Sequence, residues 1–300
     1  MAHVRYSRLP TERRHPRSTD LDRLPVLRLL HLMNREDARV VAAVKAQLPQ
    51  IAQAVALVAH ALRHRARLFF IGAGTSGRLG VLEAAECPPT FHIEPSRVQA
   101  IIAGGRRAVF RSQEGAEDAR ADARTIVRQR IRPGDLVVGI AASGVTPFVK
   151  EALNTARAFR AKTVLITCNP QAKISATISI VLAVGPEVLT GSTRLKAGTA
   201  TKLVLNMLTL GAMVQLGKMY GDLMVDVRPT SRKLRARALR IIQTIAHCDV
   251  RTAARALAAA RGQTKVAVLI AKHGLPYRTA LHQLAHANGS LRLALENHMP

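Results

Sequence analysis

Between about residues 20 and 66, apolar side chains recur at near-helical spacing through Val41, Val44, Leu48, Ile51, Val55 and Val58. From residue 67 the pattern changes. Short apolar runs near 67–71, 98–103, 135–141, 162–167 and 178–184 alternate with helical stretches, which predicts a parallel sheet in an α/β layered fold with right-handed crossovers. A long apolar helix is expected over about 196–219, packed across the sheet or against a partner. The Ala- and Leu-rich stretch from about 244 to 300 reads as a small appended helical bundle. The expected division is an N-terminal arm with helices over 1–66, a sheet domain over 67–243 and a C-terminal helical subdomain over 244–300.

The segment 67–90, RLFFIGAGTSGRLGVLEAAECPPT, carries the strongest chemical signal. A strand over 68–71 runs into Gly72-Ala73-Gly74-Thr75-Ser76-Gly77, with glycines where the backbone bends tightly and hydroxyls where an anion can sit. The helix that follows offers unpaired N–H groups at its start. It also carries Glu83 and Glu86, three residues apart on nearly one face, so Glu83 is either a structural neighbour of Glu86 or a group that tunes its acidity.

The same turn spells G-x-G-x-x-G, which makes a dinucleotide site the first rival. Such a site favours an acidic residue about 20 residues on, near the end of the second strand. Here the strand at 98–103 runs into Gly104-Gly105-Arg106-Arg107, and those arginines suit a 2′-phosphate, so the rival stands on this test. The strand at 135–141 decides against it. It runs into Ala142-Ser143-Gly144-Val145-Thr146-Pro147 and then a helix, a second hydroxyl-rich junction that dinucleotide recognition does not require. In a flavodoxin-like strand order the first and third strands are neighbours, so both turns open on one crevice. Two such turns suit a small phosphorylated ligand. Ser76, Ser143 and Thr146, with Thr75 beside them, are the candidate phosphate holders, and backbone N–H groups of Gly77 and Gly144 are expected to contribute. The plainer alternative is that Ser76 and Ser143 only cap helices.

Three hundred residues with 48% apolar content suffice for a substantial core. No apolar run reaches the roughly 18 to 20 residues that span a bilayer. The nearest, 202–217, is interrupted by Asn206, Thr209 and Gln215, so no membrane is expected. The N-terminal stretch is basic without the apolar core of a leader, and Cys87, Cys168 and Cys248 are widely spaced and odd in number, as reduced thiols in a cytoplasm would be. The formal charge of +26 raises a nucleic-acid reading. Against it, most arginines are scattered through helical segments, and six phenylalanines and three tyrosines are few for stacking on bases. The densest basic group, 228–240, reads as a solvated helix face, so no specific nucleic-acid partner is expected. A positive field also draws a doubly anionic small substrate. His60 with His64, and His282 with His286, have the spacing of helical metal ligands, but neither pair encloses the glutamate of H-E-x-x-H and no acidic or cysteine cluster accompanies them. No metal is expected. Cys87 has no activating base in the local sequence and reads as a small buried thiol.

Longer strings follow in order: GAGTSGRLG (72–80), ECPPT (86–90), IAGG (102–105), EGAED (114–118), IAASG (140–144), CNP (168–170), KAGTATKLVLNML (196–208) and LMVDV (223–227). The two turns and the alternating pattern resemble the sugar isomerase (SIS) fold, a binder of phosphosugars, and the strings resemble the N-acetylmuramic acid 6-phosphate etherase family over about residues 11–295. The resemblance implies a SIS-type parallel five-stranded sheet flanked by helices, with a small C-terminal helical bundle. It further implies a cytoplasmic homodimeric lyase, with no metal or organic cofactor, that splits the lactyl ether of N-acetylmuramic acid 6-phosphate into N-acetylglucosamine 6-phosphate and D-lactate, in amino sugar catabolism or cell-wall recycling. The family's proton donor falls on Glu86 and its second catalytic carboxylate, read as the base, on Glu117. Their acidities should be pushed apart.

Taken alone, Glu86 is a helix-end glutamate before two prolines, and Glu117 pairs with Arg120 or shares a solvated face with Asp118. The chain departs from the family at Val145, where relatives often carry arginine, at Asp222, usually asparagine, and in TERRHP (11–16), closer to TEGRNP in relatives. Arg13 and His15 matter most if that segment closes over the sugar. Other classes to weigh are a non-catalytic phosphosugar-binding regulator resembling the glucokinase regulatory protein, a phosphosugar isomerase, and a DNA-binding regulator, for which no clear helix-turn-helix precedes the sheet.

Overall fold

The computed structural model describes residues 9–297; residues 1–8, the first part of the basic N-terminal stretch, and 298–300, the end of the expected C-terminal subdomain, lie outside the described residues. Residues up to Ala85 together with Pro95–Thr209 form one compact unit, and Glu86–Glu94 together with residues from Leu210 form a second.

In the first unit the helical stripe resolves into α1 (Val26–Lys45) and α2 (Leu48–Arg63), with axes bent by 63°. Pro49 signals the break, because the first turn of a new helix tolerates its missing N–H. A spacing counted across that bend fails at two positions. Val44, Ile51, Val55 and Val58 are buried, but Val41 and Leu48 are exposed and Val40 takes the buried place in α1.

There follow β1 (Leu68–Gly72), α3 (Gly74–Phe91), β2 (Val98–Ile102), the one-turn α4 (Arg107–Phe110), α5 (Arg120–Arg130), β3 (Leu136–Ile140), α6 (Pro147–Ala158), β4 (Lys162–Thr167), β5 (Ile178–Val181) and α7 (Lys196–Gln215). The strands form one parallel sheet in the order β2-β1-β3-β4-β5. This is the α/β arrangement the sequence pattern predicted. Alternate residues serve opposite faces: Phe69, Ile71, Ile101, Val137 and Leu165 pack with Val127, Phe148, Val149 and Leu153 of α5 and α6. Each such fully buried side chain contributes roughly 1.5–3 kcal/mol. On the other face α2 lies against β1, β3 and β5, and α3 approaches closely because it carries glycine. A Cβ on Gly77 would stand 2.5 Å from Ile102 Cγ1, and one on Gly80 would stand 2.8 Å from Phe70 Cβ.

Despite its polar interruptions α7 is long and apolar enough to cross a membrane, and the bent α1–α2 pair passes the same test. The first turn of α7 nevertheless holds Lys196, 1% exposed and ion-paired with Glu36, which marks a core helix.

In the second unit the chain forms a small antiparallel hairpin of β6 (Met219–Tyr220) and β7 (Leu223–Met224), then α8 (Arg232–Ala246), α9 (Val250–Ala259), α10 (Thr264–His273), α11 (Tyr277–His286) and α12 (Leu291–Glu296). Ile241, Ile242, Ile245, Leu257, Val266, Leu269 and Leu291 make its core. The helix expected to reach 219 stops at Gln215, and Gly217 turns the chain at φ +67°. Arg232, Lys233, Arg235 and Arg240 form the exposed face of α8 opposite its buried isoleucines.

Candidate active site

Gly72 pairs in register with Ile140, so β1 and β3 end side by side at the carboxyl edge of the sheet, and both hydroxyl-bearing turns begin there. After β1, α3 starts at Gly74, whose φ of +53° glycine takes without strain. Thr75 and Ser76 therefore lie within the first helical turn. The N–H of Gly77 bonds Ala73 O at 3.2 Å, whereas the amides of Thr75 and Ser76 come before any intrahelical acceptor. Among the described residues, the hydroxyls of Thr75 and Ser76 have no hydrogen-bond partner.

The second turn is tied down more firmly. Gly144 N–H donates to Ala141 O at 2.8 Å, Cys168 N–H to Ala142 O at 2.9 Å, and Asn169 Nδ2 to Ser143 O at 2.8 Å. Gly144 sits at φ +69°, and a Cβ there would stand 2.5 Å from Ala172 Cβ, so a larger residue is excluded. Among the described residues, Ser143 Oγ accepts only a long 3.4 Å bond from Val145 N–H, and Thr146, at the N-cap of α6, does not cap it with its side chain. The N–H groups of Gly77 and Gly144, expected to face an anion, are thus committed within their own turns. These glycines shape the edge by lacking side chains. Beneath the second turn, burial and the charge of Glu187 push the Cys168 thiol up to about 12, which makes it inert at neutral pH.

A third helix start lies close to the first turn: a Cβ on Gly198 of α7 would stand 3.8 Å from Thr75 Cγ2. Its leading amides, on Lys196 and Ala197, donate to the buried Glu187 carboxylate at 3.1 and 2.9 Å. Burial raises the Glu187 pKa, against those two amides, which lower it. Lys196 Nζ lies 2.7 Å from Glu36 Oε2, and His15 Nε2 approaches the same oxygen at 3.2 Å. Burial pushes the Glu36 carboxyl up, but the bond and charge of Lys196, with His15 and Arg39, outweigh it and hold the pKa below its ordinary value. His15 is therefore buried against α1, while Arg13 is exposed.

Glu117 lies on a 3-10 turn, Ala116–Asp118, entered through Gly115 at φ +72° and packed against α6, the helix that follows the second turn. It is exposed, and among the described residues it has no side-chain partner, Arg120 included. Glu86 is also exposed and opens the part of α3 that belongs to the second unit. Pro88 and Pro89 follow it, and their missing N–H groups leave the carbonyls of Ala84 and Ala85 without helical partners. Cys87 beside it is buried. The firmly held carboxylate on this helix is Glu83, in the first unit and 5% exposed, which accepts from Lys202 Nζ at 2.9 Å and Thr209 Oγ1 at 2.5 Å. Lys202 also reaches Asn206. Sequence reasoning missed Lys202 and Thr209, which lie 119 and 126 residues from their partner. Among the described residues, no group of three or more His, Cys, Asp or Glu side chains is placed to hold a metal ion.

A parallel sheet in this order, with paired glycine- and hydroxyl-bearing turns, is the architecture of a SIS domain. Residues 116–211 match the SIS domain family, and residues 50–157 match the glucokinase regulatory protein N-terminal SIS domain. A solved phosphoheptose isomerase from Francisella tularensis is 17% identical, with a TM-score of 0.49, over 64% of this chain and 100% of that chain. The N-acetylmuramic acid 6-phosphate etherases of Gloeothece citriformis and Gloeobacter violaceus are 50% and 52% identical to it, each over 96% of this chain and 95% of the relative. An N-acetylmuramic acid 6-phosphate etherase 2 of Vibrio cholerae is 48% identical over 97% and 96%. The chain belongs to the N-acetylmuramic acid 6-phosphate etherase family, enzymes named for breaking a carbon–oxygen bond.

Proposed function

We propose that the chain cleaves the D-lactyl ether of N-acetylmuramic acid 6-phosphate by elimination and hydration, releasing D-lactate and N-acetylglucosamine 6-phosphate. The observation that carries this reading is near-full-length identity to proteins bearing the etherase name, with a glutamate at both positions the chemistry needs, Glu86 and Glu117. An ether oxygen is a poor leaving group. In the open-chain sugar, however, the lactyl oxygen on carbon 3 lies beta to the carbon 1 aldehyde, which acidifies the proton on carbon 2. Glu117, ionised, takes that proton; the electron pair forms the carbon 2–carbon 3 double bond as the carbon 3–oxygen bond breaks, and Glu86, protonated, gives its proton to the departing oxygen. The roles then reverse. Glu86 takes a proton from the water that attacks carbon 3, and Glu117 returns one to carbon 2, so the scheme needs no metal or organic cofactor.

The phosphate is held by the hydroxyls of Thr75, Ser76, Ser143 and Thr146 and by the free amides at the start of α3, where the helix dipole favours an anion. Gly77 and Gly144 keep that edge open. We extend the reading to a cytoplasmic homodimer acting in amino sugar catabolism or cell-wall recycling. Among the described residues no disulfide joins the cysteines, and Val26, Leu27 and Leu30 on α1 are 71%, 67% and 53% exposed, an apolar surface suited to a second copy.

The match of residues 50–157 to the glucokinase regulatory protein SIS domain favours a second reading, a regulator that binds a phosphosugar without turning it over. Incubation with N-acetylmuramic acid 6-phosphate and assay of D-lactate separates the two. Lactate release is the expected result, and binding without lactate would establish the regulator.

A further inference from the structure

At the amino edge of the sheet, where β1 and β3 begin, a cavity of about 330 Å³ is lined by His60, His64, Arg65, Arg67, Arg132 and Asp135. It lies at the far end of these strands from the hydroxyl-bearing turns, about 15 Å away at the usual strand rise. Its charges do not cancel. Asp135 is the only carboxylate in the lining and is fully committed: Arg67 Nη2 and Nε bind it at 2.6 and 3.2 Å, and the N–H groups of Arg67 and Arg132 donate to it at 2.9 and 2.8 Å. The guanidinium groups of Arg65 and Arg132, both exposed, have no partner among the described residues. Beside them stand two imidazoles, those of His60 and His64, with ring centroids 4.2 Å apart.

The carboxyl end of α2 does not offset this charge. Ala66 N–H bonds Ala61 O at 2.9 Å and Arg65 N–H bonds Leu62 O at 3.2 Å, a Schellman turn that holds Arg65 at φ +62°. Arg97 Nη2 and Nε cover the carbonyls of Leu62 and Ala66 at 2.5 and 3.2 Å. Crowding of positive charge shows next door, where burial and then the Arg67 guanidinium lower the Arg130 pKa.

We propose that this cleft is a second ligand site, for a small phosphorylated metabolite held as a dianion by Arg65 and Arg132. Planar guanidinium groups bind phosphate oxygens in pairs, and two of them balance a phosphate monoester. A concave space of this size suits a small molecule, whereas a polynucleotide calls for a continuous basic groove with aromatic platforms. The site stands apart from the reaction proposed above.

The test is hydrogen exchange of the full chain at physiological salt, with inorganic phosphate and with adenosine 5′-monophosphate, read in peptides covering 60–67 and 130–136. Both probes should protect these peptides, and in Arg65→Glu with Arg132→Glu the protection should vanish and calorimetric affinity fall at least about tenfold. Arg65→Gln with Arg132→Gln should fall between, and melting curves check that both pairs fold. Tighter binding of the nucleotide would give the imidazole pair a share in recognition; equal binding would make the site a reader of phosphate alone. Protection that survives charge reversal, no protection by either probe, or displacement of both by single-stranded DNA with affinity rising with its length would each overturn the proposal. Protection at 73–77 and 142–146 reports the hydroxyl turns separately, so failure of one site leaves the other standing.

Discussion

Glu83 and Glu86 stand three residues apart on α3, yet Glu83 is buried against Lys202 and Thr209 while Glu86 is exposed without a partner among the described residues. A carboxylate fixed by two donors is held in place, and one left open is available to a substrate. Glu86→Gln should lower lactate release by at least about 10²-fold, the usual share of a general acid, while phosphosugar affinity measured by calorimetry changes little. Unchanged turnover would remove Glu86 from the chemistry. Glu36 makes a different case, because it neutralises a lysine buried as deeply as itself. Glu36→Gln leaves that charge unpaired and should cost about 3–5 kcal/mol in urea unfolding at neutral pH. The folded pKa of Glu36 lies below 4.5, so the stabilisation is complete above that value and is lost as pH falls through the folded pKa. The gap between wild type and variant should therefore narrow in acid. The hydroxyls of the two turns and both candidate carboxylates were legible because each sits in a short local string. The Glu36–Lys196–His15 cluster was not, since its glutamate and lysine are 160 residues apart and only folding joins them.

At the scale of elements, short apolar runs alternating with helical stretches announced every strand of the large sheet and its parallel course. Short or bent elements escaped. The hairpin of β6 and β7 pairs only two residues on each side, too few for an alternating pattern, although Gly221-Asp222 between them is a two-residue turn signal. In the helical unit, the position of α10 depends on a polar contact that periodicity does not reveal. Lys265 is 6% exposed and donates to Gly217 O at 2.8 Å and Gly289 O at 2.7 Å, while pairing with Asp226 at 2.9 Å. Lys265→Met keeps the apolar stem but strands two carbonyls, each worth about 1–3 kcal/mol when left unsatisfied. We expect lower thermal stability and faster hydrogen exchange around residues 217 and 289. Unchanged exchange there would show that the lysine is not the staple.

For the whole molecule, the high positive charge sets long-range attraction for anions, and the exposed apolar start of α1 is the surface proposed above to pair two copies. Light scattering should give the mass of two chains for the wild type and of one for Leu27→Lys with Leu30→Lys, the variant remaining folded by circular dichroism. A wild-type monomer would end the dimer proposal.

In the reaction proposed above, the bond that breaks is the one between carbon 3 of the sugar and the lactyl oxygen, and water then fills carbon 3. Turnover of N-acetylmuramic acid 6-phosphate in ¹⁸O-labelled water tests it in one experiment, with the label at carbon 3 read from its ¹³C isotope shift and lactate weighed by mass spectrometry. Labelled carbon 3 in N-acetylglucosamine 6-phosphate and unlabelled D-lactate are the expected products. Label in the lactate, or substrate recovered intact, would contradict the proposed reaction.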